Sequence, residues 1–367
     1  MSLTRFLKAW RTIPLRDREV VDALVDPTHA GPSPELAQAL RAWPGTHYWS
    51  DEADGRHIVF TRPTVPRTRD AWTLHALLFV ATLFTTTLSG AIIAGTIPAD
   101  PSVVLAPGTW GAAFFRAWTA GLTFSVPLLA ILLCHELGHY LTARRYQLDV
   151  SPPFFLPAPP IPVLIGTLGA FIRLRTILTD RRQLLDVGAA GPIAGFVVAL
   201  PVLWIGLAHS QPVIESGVRG VQLWVGGVAA WPLGDSLVTH VVRRLAFGAA
   251  PAVRLHPMAF AGWFGMFVTA LNLLPMAQLD GGHILFAALP RWHERVARGF
   301  WVLIMLLGWF WIGWLIWGFV VLALSRGRLS HPPVLDAYRP LPRSRRWLAW
   351  GSLVLFLLTF APVPFRI

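Results

Sequence analysis

Long apolar stretches constrain the fold of this chain more than any other feature. A helix needs about 20 apolar residues, each adding about 1.5 Å of rise, to cross the hydrocarbon layer of a bilayer. Such stretches recur along the sequence, in which 54% of the residues are hydrophobic and 14% are charged. A soluble domain carries about 25% charged residues. We therefore predict an α-helical polytopic membrane protein.

Six apolar stretches are predicted to form transmembrane helices. The stretch 297–325 is too short for two full crossings, so a broken or re-entrant helix is predicted around Gly308 to Gly313. The Gly-rich stretch 221–242 is followed by two arginines, which favours an interfacial helix over a further partial insertion. The six stretches lie near 73–96, 113–144, 187–208, 257–275, 297–325 and 346–363.

The first 71 residues have a different character. They contain ten basic and nine acidic side chains and no apolar run of span length, which predicts a small soluble N-terminal region. Asp54 and Gly55 form a turn pair between two strand-like runs, which is typical of a β-hairpin. No catalytic grouping occurs there, so an ordered cap without chemistry is the preferred interpretation. Basic residues interrupt the first 25 positions, which argues against a signal peptide and for a cytoplasmic amino terminus.

Arginines predict the orientation of the membrane helices. The net charge of +12 comes almost wholly from arginine, and in so apolar a chain it indicates juxtamembrane charge, with no nucleic-acid partner. The segments 144–186 and 326–346 each hold six arginines, whereas 97–112 holds none. The two Arg-rich loops are therefore predicted to be cytoplasmic. Cys134 is the only cysteine, which excludes an intrachain disulfide and a four-cysteine zinc site.

The strongest local signal is the run HELGH at 135–139, inside an apolar helix. Residues four apart share a helix face, so His135 and His139 can both reach one Zn²⁺ at about 2.0 to 2.1 Å. Glu136 lies beside such a metal without ligating it, which suits a general base. An ionisable cluster inside a membrane helix indicates function by default, against the alternative of core histidines bonded to carbonyls.

A catalytic zinc keeps three protein ligands and one open position, so a further ligand is expected elsewhere. Asp280 is the best candidate, because it follows an apolar helix that Pro275 would break and precedes two glycines that permit a tight turn. Asp186 and Asp235 are weaker candidates beside loops. His283 could ligate as well, although orienting a ligand or bonding to backbone suits it better.

Taken together, these runs resemble the site-2 protease family of intramembrane zinc metalloproteases, in its plastid and bacterial branch without a PDZ domain. The resemblance rests on HELGH, on NLLPMAQLDGGH at 272–283 and on the segments between them, and it covers about 72–363. It implies one zinc per chain held by His135, His139 and Asp280, with Glu136 as the catalytic base. It also implies a three-helix catalytic core within about 113–290.

Further residues gain a role from the resemblance. Asn272 would be a polar group near the scissile carbonyl, or would satisfy the backbone of a broken helix. The run IPVLIGTLGAFIRL at 161–174 resembles a membrane-re-entrant β-hairpin, whose edge could hold an unwound substrate by β-addition. Gly166 and Gly169 would let the backbone approach substrate closely. The alternative is a loop at the membrane interface. The GPIAG run at 191–195 would allow close helix packing.

The predicted function is hydrolysis of peptide bonds within or beside the transmembrane helices of membrane-protein substrates. The predicted domains are a soluble cytoplasmic region at 1–71 and a membrane metalloprotease domain at 72–363. A bacterial inner membrane, with the active site toward the cytoplasm, is favoured over a plastid membrane. A zinc transporter with the same His/Glu/Asp cluster is the rival function, and a catalytically silent membrane adaptor is another.

Overall fold

The structure is a computed structural model, and it divides into two compact units. The first comprises Met1–Ala71, Ala143–Pro152 and Arg173–Leu178, and the second comprises Trp72–Thr142, Pro153–Ile172 and Thr179–Ile367. The predicted domain limits and the soluble cytoplasmic character of 1–71 stay predictions. The described residues are 3–14, 18–31, 33–41, 43, 46–63, 70–98, 100, 112–161, 163–175, 178, 180–213, 220–225, 229–248, 252–331, 334 and 341–366.

Parts of two predicted loops lie outside the described residues. Of the arginine-free loop at 97–112, residues 99 and 101–111 are not described, and of the Arg-rich loop at 326–346, residues 332–333 and 335–340 are not described. The orientation that these loops predict therefore rests on the sequence alone.

A four-stranded antiparallel sheet forms the first unit. Its strands are β1 (Leu7–Pro14), β2 (Arg18–Val25), β3 (His47–Glu52) and β4 (Gly55–Pro63), in the order β1-β2-β4-β3, and helix α1 spans Pro34–Arg41. The predicted hairpin is confirmed, because Glu52 pairs with Gly55 around the Asp54 turn. Gly55 has φ of +142°, which favours glycine. Apolar side chains from the sheet and α1, such as Phe6, Leu36 and Ile58, form the core.

His57 on β4 is a buried histidine between two carboxylates. Its Nδ1 lies 2.9 Å from Asp22 Oδ1 and its Nε2 lies 3.1 Å from Asp54 Oδ1. Burial by itself lowers the pKa of His57, but the hydrogen bonds and charges of the two aspartates outweigh burial and raise the pKa above its ordinary 6.5. The folded state therefore binds the proton more tightly than the unfolded state does.

A pH-dependent stability of the first unit follows. The His57 contribution is fully present below the unfolded pKa of about 6.5 and is lost as pH rises through the raised folded pKa. Hydrogen-exchange protection of β2 and β4, corrected for intrinsic rates, is therefore expected to fall from pH 6 upward until His57 is neutral. His57→Gln should remove this dependence, whereas His47→Gln, at an exposed position on β3, should keep it. The same slope in the His57→Gln chain would assign the effect to another group.

Three helices of the second unit are long and apolar enough to cross a membrane. They are α2 (Trp72–Ile93), α3 (Ala112–Arg145, with its apolar part at Phe115–Arg145) and α4 (Arg181–Ala208). Their mean hydropathy over the span window is 2.0, 1.8 and 2.0, respectively. The first three predicted membrane stretches are thus confirmed as helices. The Asp180 side chain accepts a hydrogen bond from Gln183 N, so α4 begins earlier than predicted.

Small residues bring α2 and α3 close together. A Cβ on Gly90 would overlap the backbone at Gly121, and a Cβ on Gly121 would overlap the carbonyl of Thr87. The Thr87 and Ser125 hydroxyls are 2.9 Å apart across the same crossing. Close backbone approach and hydroxyl pairs of this kind hold helices together where the surroundings are apolar.

A two-stranded antiparallel hairpin follows α3 in the second unit. It consists of β5 (Phe154–Pro157) and β6 (Thr167–Phe171). Only β6 lies in the run 161–174 that was predicted to form the hairpin, whereas β5 precedes it, and Pro162 lies outside the described residues. Re-entry of this hairpin into the membrane stays a prediction. At its turn, Gly166 packs so closely on α2 that a Cβ would overlap the Thr85 backbone and the Ser89 hydroxyl. Thr85 Oγ donates to the Gly166 carbonyl over 2.7 Å. The hairpin is therefore anchored on α2 at its turn.

The prediction of a helix at 221–242 is wrong. Strands β7 (Gln211–Val213), β8 (Gly220–Val225), β9 (Ala229–Leu233) and β10 (Ala252–Arg254) form a sheet in the order β7-β10-β8-β9, and helix α5 spans only Leu237–Phe247. The backbone of the Val-Gln-Leu-Trp-Val run in β8 forms hydrogen bonds with β9 on one side and with β10 on the other. β10 comes from a distant part of the chain, which a local apolar pattern cannot reveal.

Among the described residues, the second unit also contains five shorter helices after the sheet. They are α6 (Pro257–Asn272), α7 (Asp280–Ala288), α8 (His293–Leu307), α9 (Gly313–Leu324) and α10 (Arg343–Thr359). The predicted break near Gly308 to Gly313 is confirmed, because α8 ends at Leu307 and α9 begins at Gly313. The Leu315 and Trp311 side chains lie where a Cβ on Gly308 and Gly313, respectively, would be. Each of these helices is shorter than 18 residues, so the count of six membrane crossings rests on prediction.

Candidate metal centre

Three potential metal ligands converge where α3 meets the start of α7. His135 Nε2 lies 3.2 Å from His139 Nε2, and the Asp280 Oδ2 atom lies 3.4 Å from the first and 3.3 Å from the second. The two imidazoles come from successive turns of α3, whereas Asp280 is the first residue of α7. Both histidines are buried, and the Asp280 side chain is 16% exposed.

The geometry fits one zinc ion. Ligand atoms at about 2.0 to 2.1 Å from a tetrahedral metal are separated from one another by about 3.3 Å. The three observed separations, 3.2, 3.3 and 3.4 Å, match this value. Two imidazole nitrogens and one carboxylate oxygen form a ligand set typical of catalytic zinc, with the fourth position open. These residues can therefore hold the metal that the HELGH run predicted.

A backbone carbonyl orients His139. Its Nδ1 lies 2.7 Å from the Val187 carbonyl on α4. A carbonyl can only accept, so Nδ1 carries the proton and Nε2 keeps the lone pair that a metal needs. Asn272 Nδ2, at the end of α6, lies 3.1 Å from His135 Nε2. The predicted polar group is thus at the centre itself, while its action on a scissile carbonyl stays a prediction.

The GPIAG run lies directly against the two histidines. A Cβ on Gly191 would overlap the His139 ring, and a Cβ on Gly195 would lie 3.1 Å from His135 Nδ1. The neighbouring turn is similar, because a Cβ on Gly138 would lie 2.5 Å from the Ala190 carbonyl. The predicted close packing of α4 on α3 is therefore confirmed. Glycines on α4 leave room for the imidazoles between the helices.

Gly191→Ala is accordingly expected to displace the His139 ring and to weaken zinc binding by about 10- to 100-fold, the range seen when groups that orient a ligand are lost. Zinc affinity measured by competition with a chelator checks this. The matched control is Gly299→Ala on α8, where a Cβ would meet nothing within 4 Å. That control should keep the zinc affinity and gain a little helix stability. Equal zinc affinity in the two variants would contradict the packing argument.

Close backbone packing places Asp280. A Cβ on Gly281 would overlap the Leu273 carbonyl, and a Cβ on Gly282 would overlap the Ala277 carbonyl, so both glycines are needed for backbone approach. Neither has a positive φ; Ala277 takes the left-handed conformation instead, at φ of +48°. The sequence predicted a glycine-dependent turn, and the structure gives a different reason for the glycines. The segment after α6 folds back onto the first turn of α7.

Glu136 points to the β5–β6 hairpin. Its side chain is buried, at 6% exposure, and the Ile172 backbone N–H, immediately after β6, lies close enough to interact with its carboxylate. Because Glu136 adjoins His135 in the chain, the end of β6 lies next to the metal ligands. A backbone group such as this N–H leaves no signature in residue type, so the sequence gives no sign of it.

The other predicted residues lie in different surroundings. Gly166 packs on α2, whereas a Cβ on Gly169, at φ of +105°, would meet nothing within 4 Å. Substrate binding by both stays a prediction. Asp186 forms a bidentate ion pair with Arg345, at 2.9 and 2.7 Å, and Asp235 pairs with Arg243 at 2.7 Å. Within the described part of the chain, neither belongs to the metal cluster.

His283 makes a contact that the sequence did not predict. Its Nδ1 lies 2.7 Å from His331 Nε2, and the His331 ring stacks on Phe286. The Ala277 N–H also donates to the Leu329 carbonyl, over 3.3 Å. The segment after α9 thus binds both ends of the turn that carries Asp280. His283 supports the ligand-bearing helix through this contact, which differs from the two roles that the sequence favoured, orientation of a ligand and a bond to backbone.

The sequence matches peptidase family M50 over residues 123–310, more than half of the chain and the part that contains every group of this centre. The chain belongs to peptidase family M50. The resemblance to site-2 proteases is thereby confirmed at the level of the family.

Plant relatives agree with this assignment. The "Probable zinc metalloprotease EGY1, chloroplastic" of Arabidopsis thaliana is 32% identical over 252 residues, covering 66% of this chain and 43% of the relative. The corresponding EGY2 of the same plant is 30% identical over 253 residues, covering 67% and 42%. EGY3 of Oryza sativa subsp. indica is 29% identical over 300 residues, covering 73% and 46%. This M50 chain spans less than half the length of these curated relatives.

The cofactor prediction is confirmed at the same level. The relatives are named as zinc metalloproteases, and this M50 chain carries a His135, His139 and Asp280 set that can hold a metal ion. Membrane association is likewise supported by three helices of span length in the same protein.

Proposed function

We propose that this M50 chain is an intramembrane zinc endopeptidase, which hydrolyses peptide bonds within or next to transmembrane helices of membrane proteins. The observation that carries the proposal is the triangle of ligand atoms 3.2 to 3.4 Å apart, with two of its corners on an apolar helix of span length. His139 lies about 7.5 Å along α3 from Arg144, which would put the centre inside the hydrocarbon layer near its border.

The proposed chemistry assigns one task to each group. His135, His139 and Asp280 would hold the zinc ion, which would supply Lewis-acid polarisation and lower the pKa of a water molecule to about 7. Glu136 takes a proton from the attacking water and returns it to the leaving amine. Asn272, 3.1 Å from His135 Nε2, offers an N–H donor to the carbonyl oxygen of the scissile bond. The buried surroundings keep bulk water away from these groups.

A substrate helix must unwind before it can be cut, because its peptide groups are already hydrogen-bonded to one another. In this proposal the edge of β6 that no other described strand pairs with binds the unwound segment by β-addition. The closeness of the Ile172 N–H to the Glu136 carboxylate supports this, since it brings the end of β6 beside the base. Gly169, with open space around it, would leave room for substrate backbone, whereas Gly166 would contribute by anchoring the turn on α2.

The proposed architecture has about six transmembrane helices, a re-entrant hairpin and a three-helix catalytic core. The Arg-rich segments 144–186 and 326–346 would face the cytoplasm or the equivalent compartment, with 1–71 as a soluble region on that side. The relatives are named chloroplastic, which favours a plastid membrane over the inner cell membrane as the location of this chain. The proposed partners are the bilayer and a membrane-protein substrate.

Proteoliposomes that contain both a zinc-sensitive dye and a model transmembrane substrate separate this function from zinc transport. The protease predicts substrate cleavage with no rise in luminal zinc above that of protein-free vesicles. A zinc flux without cleavage would favour a transporter. Full zinc occupancy with neither flux nor cleavage of a panel of transmembrane substrates would favour a silent adaptor.

A further inference from the structure

A cavity of about 660 Å³ lies beside helix α5, away from the metal centre. Asp235, His240 and Arg243 line it on one side, together with Arg366 near the end of the described chain. Leu357 and Phe360, at the end of α10, form an apolar wall. The start of α10 carries Arg345, whose ion pair ties that end to α4. Under the membrane orientation proposed above, on which this placement rests, the cavity would lie near the opposite membrane border, since α10 is about 25 Å long at 1.5 Å per residue.

The charges of this cavity favour an anion. Two guanidinium groups, of Arg243 and Arg366, face one carboxylate, of Asp235, so the described lining is net positive even with His240 neutral. The Arg243 Nη2 atom donates to Asp235 Oδ2 over 2.7 Å, which uses one oxygen of the carboxylate. Arginine is well suited to phosphate because its planar fork presents several N–H donors.

Two buried atoms of that ion pair need further partners. Asp235 Oδ1 and Arg243 Nε are both shielded from solvent, and neither has a hydrogen-bond partner among the described residues. Buried polar atoms are hydrogen-bonded as a rule. Both atoms are closed to solvent, so contacts with a ligand in the cavity fall to the accessible N–H groups of Arg243 and to Arg366.

Helix α5 carries an apolar stripe next to this cavity. Leu237, Val241 and Leu245, at positions i, i+4 and i+8, are 60%, 54% and 70% exposed. The cavity-lining His240 and Arg243 occupy a neighbouring face, so the helix is amphipathic. A helix with exposed Leu and Val on one face and basic groups on the other is typical of the bilayer interface. The cationic cavity would then open at the level of the lipid headgroups.

We propose that this cavity is a binding site for the headgroup of an anionic phospholipid such as phosphatidylglycerol. Its phosphate binds the accessible N–H groups of Arg243 and Arg366. Its acyl chains lie along the apolar wall of α10 and the apolar stripe of α5. The apolar wall explains why a lipid fits better than free phosphate, and the net positive lining explains why an anionic lipid fits better than a zwitterionic one.

Native mass spectrometry of the full chain tests this directly. The protein is purified in detergent with equal amounts of phosphatidylglycerol, phosphatidylethanolamine and phosphatidylcholine, and the retained lipids are counted. We expect about one phosphatidylglycerol per chain, at least 10-fold less in Arg366→Gln, and no displacement by 10 mM inorganic phosphate. Arg366 is chosen because Arg243→Gln would leave the buried Asp235 unpaired.

The matched control is Arg244→Gln, which removes the same charge from an exposed position on the same helix. It should retain phosphatidylglycerol like the wild type. Zinc content and thermal unfolding, measured on each variant, confirm that the fold is intact. Equal loss of lipid in Arg244→Gln and Arg366→Gln would show attraction to general surface charge and overturn the site. Equal retention of all three lipids, or displacement by phosphate, would overturn it as well.

Discussion

Glu136→Gln is expected to reduce peptide-bond cleavage by about 100- to 10,000-fold, the usual contribution of a positioned general base. The amide is nearly isosteric with the carboxylate and keeps an oxygen toward the nearby Ile172 N–H, so the hairpin should stay in place. It cannot take up a proton, and the attacking water therefore stays protonated. Zinc content should equal that of the wild type, because Glu136 is not part of the ligand triangle.

Glu294→Gln is the control for this experiment. Glu294 is an exposed residue on α8 that pairs only with Arg298 one turn away among the contacts described. An exposed pair of this kind contributes at most about 1 kcal/mol, so cleavage should be unchanged. Wild-type cleavage in Glu136→Gln would refute the assigned base. Loss of zinc together with cleavage would mean that Glu136 acts as a ligand instead.

Asp280→Ala is expected to weaken zinc binding by at least about 100-fold and to abolish cleavage. Substitution of groups that merely orient a ligand costs about 10- to 100-fold in affinity, and loss of a ligand itself should cost more. Only the two imidazoles would remain on the protein side. Zinc retained after dialysis against a chelator, measured by mass spectrometry of the metal, checks the prediction.

Asp51→Ala serves as the matched control, because Asp51 is a largely exposed aspartate in the first unit, with a side chain 83% exposed. It should retain zinc like the wild type. An Asp280→Ala chain that keeps full zinc would move the third ligand to another residue. Added zinc that restores cleavage to Asp280→Ala at high concentration would be consistent with weakened binding.

Patterns in the sequence predicted the parts of the structure that depend on residues close together in the chain. The apolar stretches gave the positions of α2, α3, α4 and α6, since a run of apolar side chains is helical in a membrane wherever it lies. The i, i+4 spacing predicted that His135 and His139 share a face, and the structure has them 3.2 Å apart. The Pro- and Gly-flanked position of Asp280 predicted it as a third ligand, and the structure places its carboxylate 3.3 to 3.4 Å from the two imidazole nitrogens.

Contacts between distant segments lay beyond the reach of such patterns. The strand β8 pairs with β10, some thirty residues away, and without that partner its sequence resembles an interfacial helix. The sequence predicts that Gly191 allows close helix packing. Only the structure shows that this glycine leaves room for the His139 ring. The Ile172 N–H and the Val187 carbonyl act through the backbone, so their residue types carry no signal.

Contacts around α7 also join segments that are distant in the chain, so the sequence does not predict them. His331 reaches His283 from a loop 48 positions later, and the contact depends on how α8 and α9 return the chain to the metal centre. Helices α8 and α9 are shorter than α2, α3 and α4, so their length alone does not predict a membrane crossing. Where such short helices lie depends on the segments that they pack against.

The most direct test of the central claim, that this M50 chain hydrolyses peptide bonds inside the membrane, is mass spectrometry of the product. A single-span model substrate is reconstituted with the zinc-loaded enzyme in vesicles prepared in ¹⁸O-labelled water. The account predicts a cut within or next to the span, one ¹⁸O atom in the new carboxyl group, and loss of both in Glu136→Gln. Cuts confined to the soluble flanks, or products equally abundant with Glu136→Gln, would contradict it.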